Sequence, residues 1–197
     1  KRNFSHSLLN QNPLNTEDLW QKMYQASWKL GGRGLFRKAM SAVDIALWDI
    51  KGKKHNTSIA QLFGSYREEV PTYANVAHQL PPDALGKKAA EYVAHGHKAL
   101  KIRCSSNAVS LNEANQRVQA VREAIGPDIK LMVDLNGTWD VDTTIQQLKK
   151  WEKYNLYWME EPVHPEYISG YLQIKQYGSP TYIAAGEQHE GLNDFKP

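Results

Sequence analysis

The sequence predicts an α/β protein in which helices come first and parallel strands then alternate with helices. From Val70 onward, apolar runs of strand length alternate with segments of helical periodicity, at the roughly 30-residue spacing of βαβ units. Three successive predicted strands end in or near an acid, with Glu160 placed 26 residues after Asp134 and Glu187 placed 27 residues after Glu160. Acids at successive strand ends favour a (β/α) barrel, and a doubly wound parallel sheet is the alternative.

Composition restricts the classes of function. The 197 residues are 41% hydrophobic, which is enough for a substantial core, and a net charge of +3 with mixed signs predicts neither a nucleic-acid nor a membrane partner. No apolar run approaches the ~18 residues of a transmembrane helix. The single cysteine, Cys104, excludes an intramolecular disulfide, and with no visible signal peptide we expect a cytoplasmic protein. Because a closed barrel typically needs ~250 residues, we expect the chain to be part of a longer protein.

The first 68 residues have helical patterning and no obvious strand. Apolar residues recur every three or four positions over two long stretches, as on the buried face of a helix. We expect Asn15 to cap the first long helix and Gly52 to end the second. In order, the prediction is an irregular segment at 1–16, helices at 17–29 and 35–51, and a short helix that starts at Ser58 and is closed by Gly64.

The sequence pattern after residue 68 predicts five strands and four helices in strict alternation. Strict alternation implies parallel strands with right-handed crossovers. The predicted strands lie at 70–76, 99–103, within 130–139, at 156–160 and near 181–185; the helices lie at 83–95, 111–125, 140–154 and within 165–177.

The acids at the strand ends predict a metal site. Carboxylates that converge at one end of a barrel form an oxygen-rich site suited to a hard divalent cation such as Mg²⁺. The alternative is that Asp134, Glu160 and Glu187 only cap the helices that follow, although each acid precedes its helix by several residues. Strand alternation places Asn136 on the same face as Asp134, so its side chain can point toward a bound ligand.

Three segments of the sequence resemble one family, the mandelate racemase and muconate lactonizing enzyme branch of the enolase superfamily. They are Gly34–Lys53, Lys101-Ile102-Arg103 and Trp158-Met159-Glu160-Glu161-Pro162. The resemblance covers about residues 15–195 and is specific for the superfamily rather than for a substrate. It implies a modified (β/α)₇β barrel of the TIM type behind a capping domain, with 1–68 as the helical end of the cap and 69–197 as the first part of the barrel.

The resemblance also implies a metal site and a reaction. Asp134, Glu160 and Glu187 match the three Mg²⁺ ligands of the family, and Asn136 matches a residue beside the metal. Family members remove the proton α to a carboxylate with a Lys or His base, while Mg²⁺ stabilises the enediolate. Lys101 matches the first lysine of the family's Lys-x-Lys pair, and crowding by cations is expected to lower its pKa toward neutrality.

Arg103 replaces the second lysine of that pair. Arginine is effectively always protonated, so we expect a clamp for a substrate carboxylate or an electrostatic partner rather than a general base. This substitution disfavours two-base racemisation and favours dehydration of a sugar acid, with a partner base or acid supplied by later strands. The alternatives are a racemase, epimerase or cycloisomerase of the same superfamily, and a non-catalytic relative or fragment that only binds or assembles.

Three further residues are weaker candidates for substrate contact. His164 and His189 follow the second and third acids, and Arg33 lies in a glycine-rich loop of the predicted cap. The alternative for each is a solvated loop side chain. The expected partner is a small-molecule carboxylate, with self-association as is common in the family, and Cys104 is expected to pack in the core.

Overall fold

The computed structural model describes residues 2–30, 33–76, 80–105 and 109–196. The chain forms two compact units, Lys1–Val70 with His189–Pro197, and Pro71–Gln188. In the described residues, no helix is both long and apolar enough to cross a membrane.

The first unit is helical. Its helices are α1 (Arg2–Leu8), α2 (Thr16–Ser27, continued by a 3₁₀ turn at Trp28–Leu30), α3 (Leu35–His55) and α4 (Ile59–Leu62), and a 3₁₀ turn at Leu192–Phe195 belongs to the same unit. The prediction of an irregular segment at 1–16 is therefore wrong over α1. The Phe4 ring packs edge-on against Phe36 of α3 at a centroid distance of 6.4 Å, a tertiary contact that local periodicity does not show.

Gly52 does not end the second long helix, contrary to the prediction. The helix α3 continues through it to His55 and ends at Asn56, whose φ of 50° is left-handed. A Cβ at Gly52 would lie 3.0 Å from both the Ile59 Cδ1 atom and the Thr57 carbonyl oxygen. This glycine therefore permits the following turn to approach the helix closely, which is a packing role rather than a helix-breaking one.

The predicted starts of α2 and α4 differ in their capping. Asn15 occupies the N-cap position of α2, but its side chain makes no capping hydrogen bond, so that part of the prediction is wrong. Ser58 does cap α4: its hydroxyl accepts from the Gln61 N–H at 3.1 Å, and the Gln61 side-chain oxygen accepts from the Ser58 N–H at 3.1 Å. This reciprocal pair is a capping box.

The second unit contains one five-stranded parallel sheet. Its strands follow one another in sequence order without the reversal that defines a doubly wound sheet. The first strand is shorter than predicted, because its pairing with β2 is limited to Ala74 and Asn75. The elements are β1 (Ala74–Asn75), α5 (Pro82–Ala94), β2 (Ala99–Arg103), α6 (Leu111–Ile125), β3 (Lys130–Asp134), α7 (Val141–Trp151, continued by a 3₁₀ turn at Glu152–Tyr154), β4 (Leu156–Glu160), α8 (Ile168–Tyr177) and β5 (Tyr182–Ala184).

The two faces of the sheet differ in chemistry. Alternate residues such as Leu100, Ile102 and Val133 are fully buried in an apolar cluster with side chains from the helices. Strand alternation turns the intervening residues to the opposite face, and most of them are charged. The intervening residues are Lys101, Arg103, Met132, Asp134, Trp158 and Glu160.

Arg122 joins the C-terminal end of α6 to the turns that precede β3 and β4. The residue is only 9% exposed, and its guanidinium donates to four backbone carbonyls, those of Tyr154, Gly126, Ile129 and Asn155, at 2.6–3.2 Å. Burial lowers the pKa of Arg122 from its ordinary value, and the carbonyls supply the acceptors that its charge requires.

We predict that Arg122→Met lowers the free energy of unfolding by about 3 kcal/mol. The substitution keeps the aliphatic stem but leaves several buried carbonyls without a donor. Urea denaturation provides the measurement, and Glu123→Ala at the exposed neighbouring position is the control, with an expected change below about 0.5 kcal/mol. Similar effects of the two substitutions would contradict this role for Arg122.

Candidate active site

The charged groups meet because neighbouring strands end in register. Arg103 pairs with Asp134 across β2 and β3, and Asp134 pairs with Glu160 across β3 and β4. All three strands are parallel, so their carboxyl ends lie at one edge of the sheet. That edge is where α/β enzymes place their reactive groups.

Lys101 is buried between two carboxylates. Its side chain is 8% exposed, and Nζ lies 2.6 Å from Glu160 Oε1 and 3.6 Å from Asp134 Oδ2. Burial lowers the pKa of Lys101, but the hydrogen bond donated to Glu160 and the two carboxylate charges outweigh burial and raise the pKa above its usual range. In the metal-free chain the nearest charges are acids on other strands, so the pKa lowering expected from crowding by cations stays a prediction for the metal-bound site.

Arg103 also faces Asp134, at a longer distance. One guanidinium nitrogen lies 3.7 Å from Asp134 Oδ2, and the side chain is 39% exposed. A guanidinium has five N–H donors, so a partly exposed one beside Asp134 can also bind a second carboxylate. This position is compatible with a carboxylate clamp, which stays a prediction.

Asp134 and Asn136 are held by a tight turn. Asp134 Oδ1 accepts from the Asn136 N–H at 3.1 Å, and Asn136 has a left-handed φ of 45°. The Asn136 amide oxygen accepts from the hydroxyl of Ser105, which is 3% exposed, at 3.1 Å. Sequence reasoning missed Ser105, although its spacing from Arg103 by two residues was a signal that it shares the same face.

Glu160 is bonded through both of its oxygens. Lys101 holds Oε1, and the Trp158 indole N–H donates to Oε2 at 3.1 Å. Tyr73 lies beside both donors, with its ring centroid 5.5 Å from Lys101 Nζ and 5.4 Å from the Trp158 ring. Neither Trp158 nor Tyr73 was predicted as a site residue. The Tyr73 contacts depend on strand pairing, whereas the two-residue spacing of Trp158 from Glu160 was a signal that they share a face.

Glu161 is the buried acid of the adjacent pair. It is 2% exposed, has a left-handed φ of 40°, and its Oε1 atom has no hydrogen-bond partner. Burial raises its pKa, as do the charges of Glu187, Asp134 and Glu160, against a lowering by the backbone N–H of Gly186. Four acids are therefore close enough to interact electrostatically at this edge.

Glu187 lies in the turn after β5, where its side chain is exposed and accepts a hydrogen bond from Gln188 at 3.2 Å. Within residues 2–30, 33–76, 80–105 and 109–196, no three His, Cys, Asp or Glu side chains are close enough to hold one metal ion. The structure brings Asp134 and Glu160 together around Lys101 but not Glu187 with them. The three-ligand assignment thus stays a prediction.

The remaining candidates lie in exposed or separate places. His164 follows β4 in the second unit, where it is exposed and its Nδ1 accepts from the Glu166 N–H at 3.3 Å. Arg33 and His189 belong to the first unit: Arg33 pairs with Asp194 at 2.8 Å, and the His189 ring contacts Phe195 at 4.8 Å. Their substrate-binding roles stay predictions.

Two models of protein families match the chain. Residues 84–197 match the model described as enolase C-terminal domain-like, and residues 1–64 match the N-terminal domain of the mandelate racemase/muconate lactonizing enzyme family. The chain belongs to the mandelate racemase/muconate lactonizing enzyme branch of the enolase superfamily. The family resemblance and the partial barrel preceded by helices of a capping region are thereby confirmed. The boundary at 68/69 stays a prediction.

Similar proteins include cycloisomerases and dehydratases. The D-galactarolactone cycloisomerase of Agrobacterium fabrum is 37% identical over 95% of this chain and 50% of the relative. The L-talarate/galactarate dehydratase of Salmonella typhimurium is 33% identical over 97% and 49%. A racemase from Streptomyces coelicolor, solved with bound magnesium, has a TM-score of 0.89 at 36% identity over 98% of this chain and 54% of that structure. This enolase-superfamily chain spans about half the length of the curated relatives.

Cys104 is predicted to be unreactive in the native protein. The thiol is 1% exposed in the apolar core, and burial raises its pKa from 9.0 to about 12. We expect alkylation by iodoacetamide at pH 8 to be at least about 100-fold slower in the native chain than in urea, because the thiolate is the nucleophile.

The same pKa shift affects stability. As pH rises from 9 toward 12, the unfolded thiol loses its proton first, so the free energy of unfolding should fall over that range.

Rapid alkylation of the native chain at pH 8 would contradict the buried placement of Cys104.

Proposed function

We propose that the complete protein removes the proton α to the carboxylate of a sugar acid in a Mg²⁺-dependent reaction, and that the outcome is dehydration. The observation that carries the proposal is the placement of Lys101 between Asp134 and Glu160 at the ends of neighbouring strands. A buried lysine among acids at the reactive edge of a barrel combines a proton-transfer group with metal-ligating oxygens.

The residues fit a hard divalent cation by their chemistry. Asp134, Glu160 and Glu187 are the side chains that would hold Mg²⁺, all through carboxylate oxygens. The unpartnered Oε1 atom of Glu161 and the repulsion that this acid experiences from the other three indicate an excess of negative charge. Bound Mg²⁺ supplies positive charge that stabilises an enediolate.

The chain's own cations have distinct proposed roles. Lys101 is assigned as the group that exchanges the α proton. To act as a base it must first lose its own proton, to solvent or to a neighbouring carboxylate, and its ion pair with Glu160 must then break. Arg103 is assigned to hold the substrate carboxylate, since its guanidinium is partly exposed beside Asp134. Asn136, His164, His189 and Arg33 are proposed substrate contacts.

We favour dehydration because Lys101 is the one side chain assigned to proton transfer among the residues that the structure describes at this edge. Removal of the C2 proton and departure of the C3 hydroxyl with a second proton release one water and leave an enol that becomes a 2-keto-3-deoxy acid. Cycloisomerisation is the second candidate, because relatives at 37% and 38% identity carry that activity in their names. Self-association and a cytoplasmic location remain predictions.

We predict that the chain binds Mg²⁺ saturably and that Asp134→Asn weakens this binding at least about tenfold. The amide removes one anionic ligand with little change of shape. Isothermal titration calorimetry with MgCl₂ gives the affinity, and Asp142→Asn, at an exposed position in the first turn of α7, is the matched control. A folded wild-type chain that binds no Mg²⁺ would overturn the metal-dependent mechanism for this chain.

The products distinguish the candidate reactions. We expect the complete protein with Mg²⁺ and a hexaric or hexonic acid in D₂O to form a 2-keto-3-deoxy acid, and Lys101→Met to form none at a rate above background. NMR spectroscopy would detect the product and any deuterium incorporated at C2 of the substrate. Deuterium incorporation at C2 without loss of water would instead favour racemisation or epimerisation, and ring opening or closure would favour cycloisomerisation.

A further inference from the structure

We propose that Trp158 is a positioning residue for Glu160, with its indole N–H fixing one carboxylate oxygen so that the carboxylate keeps its orientation for a cation. This inference rests on the proposed function, because it assigns Glu160 to the metal site. It adds a residue that acts through Glu160 rather than on the substrate itself.

The hydrogen-bond geometry separates the roles of two donors. Trp158 and Glu160 lie two residues apart on β4 and so share one face. The indole Nε1 atom lies 3.1 Å from Glu160 Oε2, whereas Lys101 Nζ lies 2.6 Å from Glu160 Oε1. Each oxygen therefore has its own side-chain donor, and the two donors together define the carboxylate plane.

Neighbouring aromatic rings hold the indole in this orientation. The Tyr73 ring packs edge-on against Trp158 at a centroid distance of 5.4 Å and an interplanar angle of 86°. The ring of Tyr157, the preceding residue on β4, lies at a centroid distance of 5.5 Å. Such contacts favour one side-chain rotamer over others. The indole N–H is thus preorganised toward Glu160 rather than reaching it by chance.

The neutral donor is the one that can stay in place. Lys101 must leave Glu160 to exchange a proton, whereas an indole N–H has no competing function and only donates. Donors behind a metal ligand typically affect metal affinity by roughly 10–100-fold. Trp158 therefore keeps Glu160 oriented whether or not Lys101 is bound to it.

The test is Trp158→Phe, which keeps an aromatic ring beside Tyr73 and removes the N–H. Trp151→Phe is the matched control, because Trp151 at the end of α7 is 1% exposed and its indole N–H donates to Asn115 of α6 at 2.8 Å, outside the site. We expect Trp158→Phe to weaken Mg²⁺ binding by roughly tenfold in calorimetry, with a loss of unfolding free energy no greater than that of Trp151→Phe. Trp151→Phe should leave Mg²⁺ affinity within about twofold of wild type.

A second measurement does not depend on the metal. In ¹⁵N NMR of the metal-free chain, the indole N–H of Trp158 should exchange slowly with solvent and become faster in Glu160→Ala. Wild-type Mg²⁺ affinity in Trp158→Phe, or an indole signal unaffected by Glu160→Ala, would overturn the inference while leaving the proposed function intact. Absence of Mg²⁺ binding in the wild-type chain would overturn the proposed function, and the NMR result would then decide whether Trp158 orders Glu160.

Discussion

The buried ion pair between Lys101 and Glu160 imposes conditions on the surrounding sheet. Removing an ammonium and a carboxylate from water costs several kcal/mol per ion, and only close opposing charge and further hydrogen bonds offset that cost. Here the compensation comes from three strands, because Lys101 lies on β2, Asp134 on β3 and Glu160 on β4. A shift of one residue in either strand pairing would turn a charged side chain into the apolar core. The strand register and the candidate active site are therefore a single structural requirement.

The charge at this edge is not balanced by the protein alone. Asp134, Glu160 and Glu187 each repel the Glu161 carboxylate, and Lys101 and Arg103 are cations that face Asp134. Burial is the largest cause of the raised pKa of Glu161, and the repulsion from the three other acids adds to it. A divalent cation would relieve the repulsion, and it would also compete with Lys101 for Glu160. The same electrostatics thus link proposed metal binding to release of the proposed base.

Local sequence patterns predicted the elements around the site well. The bounds of β2, α6 and β4 agree with the predicted ranges. Apolar and charged residues alternate in β2, α6 has a clear three-to-four-residue period, and β4 is a short apolar run that ends in an acid. Gly52 shows the limit, since its role depends on Ile59 packing against the helix rather than on its own conformational freedom.

The site itself was only partly predictable. Acids at strand ends identified Asp134 and Glu160, but the contact of Ser105 with Asn136 joins two different strand ends, and the contact of Trp158 with Glu160 depends on the indole rotamer. The metal-free surroundings of Lys101 also depend on strand pairing. Arg103 is its neighbour in sequence, whereas the carboxylates that dominate its surroundings come from strands 30 and more residues away.

The most direct test of the central claim is anomalous diffraction from a crystal of the chain grown with Mn²⁺ in place of Mg²⁺. We predict one strong peak at the carboxyl ends of β3, β4 and β5, within about 2.0–2.3 Å of oxygens from Asp134, Glu160 and Glu187, with Lys101 moved away from Glu160. Density that keeps Lys101 on Glu160 with no Mn²⁺ peak between these acids would contradict the account.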